Sequence, residues 1–170
     1  MDDPFHTLGL PRRFDLTPAD ISAAHRRSVA RFHPDRATDA FERDRLVRLS
    51  SEAGEAKQRL LTDLGRAEEL LRALHGQGGS AGPGPSAQPS PAFLMETIEL
   101  REEIDAVLAS RDPAARASLE ARVGGLRADC VAGLASAFAA QPPDLAAATE
   151  GLVRLRYVDR MVLRLQDGAA

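Results

Sequence analysis

The sequence is poor in the groups that staple a small protein or load it with a cofactor. Among 170 residues there is one cysteine, Cys130, one tyrosine and no tryptophan, and aromatic residues make up 4%. A single thiol closes no intrachain disulfide and supplies no thiolate cluster for zinc or iron–sulfur. No apolar run reaches the roughly 18 residues of a membrane span, and the opening residues are acidic rather than basic. Neither a signal peptide nor membrane attachment is therefore expected, and the cytoplasm is the expected compartment. An excess of one charge is missing too. Lys+Arg 22 against Asp+Glu 25 leaves a net charge of -3, unlike the strongly basic domains that bind nucleic acid. The sequence has no Gly-rich phosphate loop and no His-Glu-x-x-His, and His6, His25, His33 and His75 lack metal-ligand spacing. No catalytic activity, metal or cofactor is expected. With few aromatics, a core must be built from Leu, Val, Ile and Ala, which favours an all-α fold over a sandwich or barrel.

What is present divides the chain. Twelve of the sixteen residues from Gly76 to Pro91 are Gly, Pro or Ser, and none is charged, so 76–91 reads as a linker. Residues 1–75 and 92–170 are each small but sufficient for a helical domain. The first stretch carries 13 basic and 13 acidic groups and the second 9 and 12, so the later half holds the net negative charge.

Local signals place the helices. Phe5, Leu8 and Leu10 suggest a short opening helix. Leu16-Thr17-Pro18-Ala19-Asp20 is a helix start with a capping box, after which Ile21, Ala24, Ser28 and Phe32 recur at helical spacing until Pro34 stops the run. A long helix over 40–61 is expected to turn Phe41, Leu49, Ala53, Ala56 and Leu60 inward, with Gly54 as its weak point. Asp63 then caps a shorter helix that ends at Gly76. The second half gives helices over 92–110, 113–140 and 144–166, with short turns that imply antiparallel neighbours in a three-helix bundle. The expected core stripes are Leu119, Val123, Leu126, Cys130, Leu134 and Phe138, then Leu145, Leu152, Leu155, Val162 and Leu165. Val153, Tyr157 and Met161 fall off the last stripe.

The loop between the two longest early helices reads Phe32-His33-Pro34-Asp35-Arg36, entered from a helix bearing Arg26, Arg27 and Arg31. Pro34 fixes the chain direction and presents His33 and Asp35 at a corner suited to docking on a charged partner. On spacing alone, an ordinary turn beside a solvated basic face explains the same residues. The arrangement of a short helix, a basic helix, His-Pro-Asp, a long helix and a short fourth helix resembles a J-domain, the module of Hsp40-type co-chaperones that stimulates Hsp70. The opening residues, together with Gly65-Arg66-Ala67-Glu68-Glu69-Leu70-Leu71 and Leu74-His75-Gly76, are most similar to the HscB (Hsc20) family of iron–sulfur cluster assembly. That resemblance implies Hsp70 contacts at His33, Pro34 and Asp35, supported by Arg26, Arg27 and Arg31. Arg36, Gly54 and Asp63 stand where relatives commonly have Lys, Asn and Pro.

The segment from Phe93 to Asp105 carries two apolar faces. Phe93, Leu100, Ile104, Val107 and Leu108 form one stripe, while Leu94, Met95 and Ile98 lie off it, because residues two apart are about 200° apart on a helix. Five acids and one arginine give 93–105 a net charge of -4, and an apolar centre with an acidic rim has the anatomy of a protein-binding patch. The alternative is packing within the same chain, with the first half covering the extra apolar side chains. The segment also resembles the HscB signature that contacts the scaffold protein IscU. The resemblance implies scaffold contacts at Leu94, Met95, Ile98, Glu99 and Glu102, with Tyr157 at an expected aromatic position and Ala106 where the family patch has an acid. The implied function is that of a co-chaperone with two partners, a specialised HscA-like Hsp70 and an IscU-like scaffold. The alternative is a J-domain protein that brings a different client to Hsp70.

Overall fold

The computed structural model describes residues 3–77 and 89–167, and every regular element among them is helical. The chain divides into two compact units, Met1–Pro83 and Gly84–Ala170. Most of the expected 76–91 linker, residues 78–88, lies outside the described residues.

In the first unit, α1 spans Pro4–Leu8, α2 Pro18–Arg31, α3 Ala40–Leu61 and α4 Asp63–Gln77, with a single 3-10 turn at Pro34–Arg36. Asp3 caps α1 by accepting from the Phe5 N–H at 2.9 Å, and Gly9 ends it in the left-handed region at φ 63°. The capping box of α2 is complete. The Asp20 N–H donates to Thr17 Oγ1 at 3.1 Å and the Thr17 N–H to Asp20 Oδ2 at 3.0 Å. The Thr17 hydroxyl and N–H together hold the Asp20 carboxyl below the usual aspartate value.

Helix α3 packs against α1, α2 and α4. Phe5, Ile21 and Leu60 are fully buried, and Ala24, Ala53 and Ala56 are buried between the long helices, where small side chains permit close approach. Each fully buried Leu, Ile or Phe contributes about 1.5–3 kcal/mol. Phe41 is not part of this core: it is 81% exposed. Over the 19 residues to Leu60 the helix turns Phe41 about 100° off the buried stripe, whereas Leu46, about 40° off, is partly buried.

The corner between α3 and α4 also differs from expectation. Thr62, not Asp63, supplies the cap, its Oγ1 accepting from the Gly65 N–H at 3.1 Å. Asp63 is the first residue of α4 and pairs with Arg66. That first position suits proline, so Asp there still satisfies the corner. A Cβ on Gly65 would lie 2.0 Å from the Arg59 carbonyl oxygen, so only glycine fits the crossing. The buried Arg66 donates to the carbonyls of Phe14 at 3.1 Å and Leu60 at 3.0 Å and lies over the Phe14 ring. Buried Glu69 accepts from Arg59 Nε at 2.8 Å and from Arg72. Gly65, Arg66 and Glu69 therefore lock the end of this unit together. Helix α4 continues past Gly76 to Gln77.

In the second unit, α5 spans Pro91–Ser110, α6 Pro113–Ala139 and α7 Leu145–Asp167. Ser90, Asp112 and Asp144 accept from the N–H groups of Phe93, Ala114 and Ala147 at 3.2, 2.9 and 2.9 Å, so each helix starts on a side-chain cap. The core joins Ile104 of α5, Leu119 and Val123 of α6, and Val158, Met161 and Leu165 of α7. Met161 thus belongs to the core, because the α7 stripe proceeds from Leu155 through Val158 and Met161 to Leu165, with Val162 and Leu145 at its edge. Leu126 leaves the expected α6 stripe and is 41% exposed, while Cys130 and Phe138 are only partly buried. Ion pairs link each helix pair: Glu103 with Arg122, Asp105 with Arg164, and Arg127 with Asp159. The two half-exposed pairs, Glu103–Arg122 and Asp105–Arg164, contribute about 0–1 kcal/mol each, and all three fix which faces meet.

Candidate functional site

The first candidate surface is the corner after α2. His33 is extended and caps the 3-10 turn: the Asp35 N–H donates to His33 Nδ1 at 3.3 Å, and the Arg36 N–H to the His33 carbonyl at 3.0 Å. Pro34 occupies the first position of the turn, where its missing N–H costs nothing. The His33 and Asp35 side chains stay 53% and 87% exposed, and Asp35 Oδ2 lies 3.5 Å from Nδ1. With Nδ1 engaged inside the turn, Nε2 is the ring nitrogen available to an outside partner. Arg26, Arg27 and Arg31 are all exposed, and none forms an ion pair among the described residues. Arg31 lies over the Phe32 ring, 5.5 Å from its centroid. The corner therefore offers an exposed carboxylate, an imidazole and three guanidinium groups without an ion pair among the described residues.

The second surface is the outward face of α5. Leu94, Met95 and Ile98 are 38%, 58% and 52% exposed, while Ile104 on the other face is fully buried. The acidic rim is smaller than the sequence suggests. Glu103 and Asp105 are taken up by Arg122 and Arg164 of the neighbouring helices, which leaves Glu96, Glu99 and Glu102 without an ion pair among the described residues. Three apolar side chains beside three free carboxylates suit a partner with an apolar centre and a basic fringe.

Tyr157 stands apart from that face. Half-buried on α7, it meets Phe93 of α5 edge-on, and Arg160 lies over its ring. Both rings border a groove of about 810 Å³ between the three helices, floored by Leu100, Leu126, Cys130, Val158 and Met161. Of the six residues expected to meet a scaffold, the structure keeps Leu94, Met95, Ile98 and Glu102 off this groove and sets Glu99 and Tyr157 along it. Periodicity did not reveal the groove, since Leu126 and Cys130 fit a core stripe. The available signal was the small residues Gly133 and Ala147 along its wall, where a Cβ on Gly133 would meet nothing within 4 Å. Burial pushes the Cys130 thiol above the usual cysteine value. Among the described residues no group of three or more His, Cys, Asp or Glu side chains could hold a metal ion, and no helix is long and apolar enough to cross a membrane.

Comparison with known proteins agrees with this geometry. Residues 89–166 match the family described as the HSCB C-terminal oligomerisation domain. The co-chaperone protein HscB homolog of Vibrio cholerae serotype O1 is 36% identical over 169 residues, covering 96% of each chain. The homolog of Bordetella pertussis is 38% identical over 124 residues, covering 72% of this chain and 70% of its own. Among solved structures, the chaperone HscB from Vibrio cholerae superposes with a TM-score of 0.79 at 30% identity, over 98% of this chain and 96% of that one. The human co-chaperone HscB shares the fold with a TM-score of 0.80 at 22% identity, over 98% of this chain and 81% of its own. The short α1, the basic α2 leading to His33-Pro34-Asp35, and the three-helix unit that follows are those of a co-chaperone, and this chain belongs to the HscB family.

Proposed function

We propose that the protein stimulates ATP hydrolysis by a specialised, HscA-like Hsp70 and delivers to it an IscU-like iron–sulfur scaffold, promoting cluster transfer. The observation that supports this reading is that two exposed surfaces of different chemistry stand on separate helical units of one chain. One is the His33-Pro34-Asp35 corner with Arg26, Arg27 and Arg31; the other is the Leu94, Met95 and Ile98 face with Glu99 and Glu102. The protein contributes placement rather than chemistry. Joining two recognition events through one chain makes the second intramolecular. The cytoplasm is the compartment this reading calls for, since the lone Cys130 asks for no oxidising environment.

The test is a steady-state ATPase assay of the Hsp70 with this protein, with the scaffold, and with both. Stimulation by this protein that rises further when scaffold is added supports the proposal. Stimulation that scaffold leaves unchanged points to a different client, and no stimulation overturns the Hsp70 reading.

A further inference from the structure

We propose that the groove between α5, α6 and α7 receives a second segment of the scaffold protein, a net-cationic stretch that places an apolar side chain against Leu126 and Cys130. This rests on the scaffold-binding reading above and extends that contact from the outward face of α5 to its other side.

The groove has the size and composition of a binding cleft. Its volume of about 810 Å³ falls within the range of roughly 300–1,000 Å³ typical of clefts that bury a ligand. Leu126 lies in it 41% exposed, although it shares the helical phase of buried Leu119 and Val123. Glu96, Glu99, Glu103, Asp129 and Glu150 line it, against only Arg122 and Arg154. Arg122 is already paired with Glu103, and Arg154 lies over the Phe93 ring, 5.0 Å from its centroid. The remaining field is negative above an apolar floor, which selects a segment that is positive and carries an apolar side chain.

Continuity with the outward face identifies the occupant. Glu99 and Tyr157 are among the scaffold contacts that the family resemblance implies, and both line the groove. Leu94, Met95, Ile98 and Glu102 of the same set do not. A partner that engages all six residues has to cross the α5 edge at Glu99 and enter the groove beside Tyr157.

Cys130 is the chain's one thiol and lies in the groove, so it reports occupancy directly. The full-length protein is treated with a small neutral maleimide, with and without purified scaffold, and modification of the Cys130 peptide is followed by mass spectrometry. Scaffold at saturation is expected to slow modification roughly ten-fold, and Leu126→Glu is expected to weaken scaffold binding by roughly ten-fold. Because Leu126 is already substantially exposed, circular dichroism should show Leu126→Glu folded. The Cys130 measurement on the unaltered protein stands even where that variant does not fold. If scaffold binds while Cys130 stays fully reactive, the groove proposal is overturned and the outward-face reading survives. If scaffold does not bind at all, both fail. Protection that grows with this protein's own concentration, without scaffold, would assign the groove to a second copy and overturn the proposed occupant.

Discussion

Phe93 and Tyr157 meet edge-on across α5 and α7, with ring centroids 5.5 Å apart and planes at 88°. An aromatic pair in this geometry contributes about 0.5–1.5 kcal/mol beyond its buried area. The pair ties the first turn of α5 to the middle of α7 and holds Tyr157 at the groove edge. Phe93→Leu should therefore lower the stability of the second unit by about 1 kcal/mol and weaken scaffold binding. Tyr157→Phe keeps the ring contact and should leave the urea midpoint nearly unchanged. Equal midpoints for Phe93→Leu and the unaltered protein would show that the ring contact does not hold the helices.

Met95 and Ile98 separate docking from packing. At 58% and 52% exposed they contribute little to the core, so Met95→Ala with Ile98→Ala should shift Tm by no more than a degree or two. Scaffold affinity should fall at least roughly ten-fold, as expected when central apolar contacts are truncated. Calorimetric titration and thermal melts check both halves. A large drop in Tm would mean that these side chains are covered within the protein.

Two glycines give opposite signs. Gly65→Ala forces a Cβ to within 2.0 Å of the Arg59 carbonyl oxygen, a backbone atom that no rotamer change clears, so the loss should reach or exceed the roughly 1–3 kcal/mol of ordinary overpacking. Gly54 sits inside α3 with nothing within 4 Å of an added Cβ, so Gly54→Ala should stabilise by about 0.5–1 kcal/mol. Urea unfolding of the two variants checks the pair; destabilisation by both would mean that the α3 surface at Gly54 is needed for packing.

His25 should give the first unit a mild acid sensitivity. Burial first, and Lys57 second, push its pKa below 6.5, so the unfolded chain takes up the proton more readily than the folded one. Its contribution is neutral well above 6.5 and destabilising as pH falls through that value. Asp20 and Glu42, held low by hydrogen bonds from Thr17 and Thr38, act at lower pH, as the solution approaches their ordinary values of 3.8 and 4.5. An NMR titration should place the His25 midpoint below 6.5, and His25→Gln should flatten the stability profile between pH 7 and roughly pH 5.5. A midpoint above 6.5 would contradict the burial argument.

Most of the fold was legible because helix starts are local. Thr17 with Asp20, Asp112 before Pro113, and Asp144 each place a cap within a few residues of the chain they cap, whereas Ser90, which caps α5, was hidden in the Gly/Pro/Ser-rich stretch read as linker. The structure departs from the sequence pattern where phase accumulates or where a neighbour is missing. Phe41 drifted off the α3 stripe over 19 residues, and Met161 replaced Val162 as the α7 pattern turned. Leu126 kept perfect spacing and still became exposed, because what covers a side chain depends on other helices. The candidate surfaces divide in the same way. His33-Pro34-Asp35 and the second face of α5 are local patterns, whereas the loss of Glu103 and Asp105 to ion pairs and the groove beside Tyr157 exist only after the three helices pack.

The central claim is that both docking surfaces must act from one chain, and complementation tests it most directly. Asp35→Asn removes the carboxylate of the proposed Hsp70 corner, and Met95→Ala with Ile98→Ala removes the proposed scaffold face. Each variant alone should lose the scaffold-dependent increase in Hsp70 ATPase, while the first keeps scaffold binding and the second keeps basal Hsp70 stimulation. Mixed together at equal concentration, the two variants should still fail to restore the increase. Full restoration by the mixture would contradict the account, because it would show that the two surfaces need not be joined.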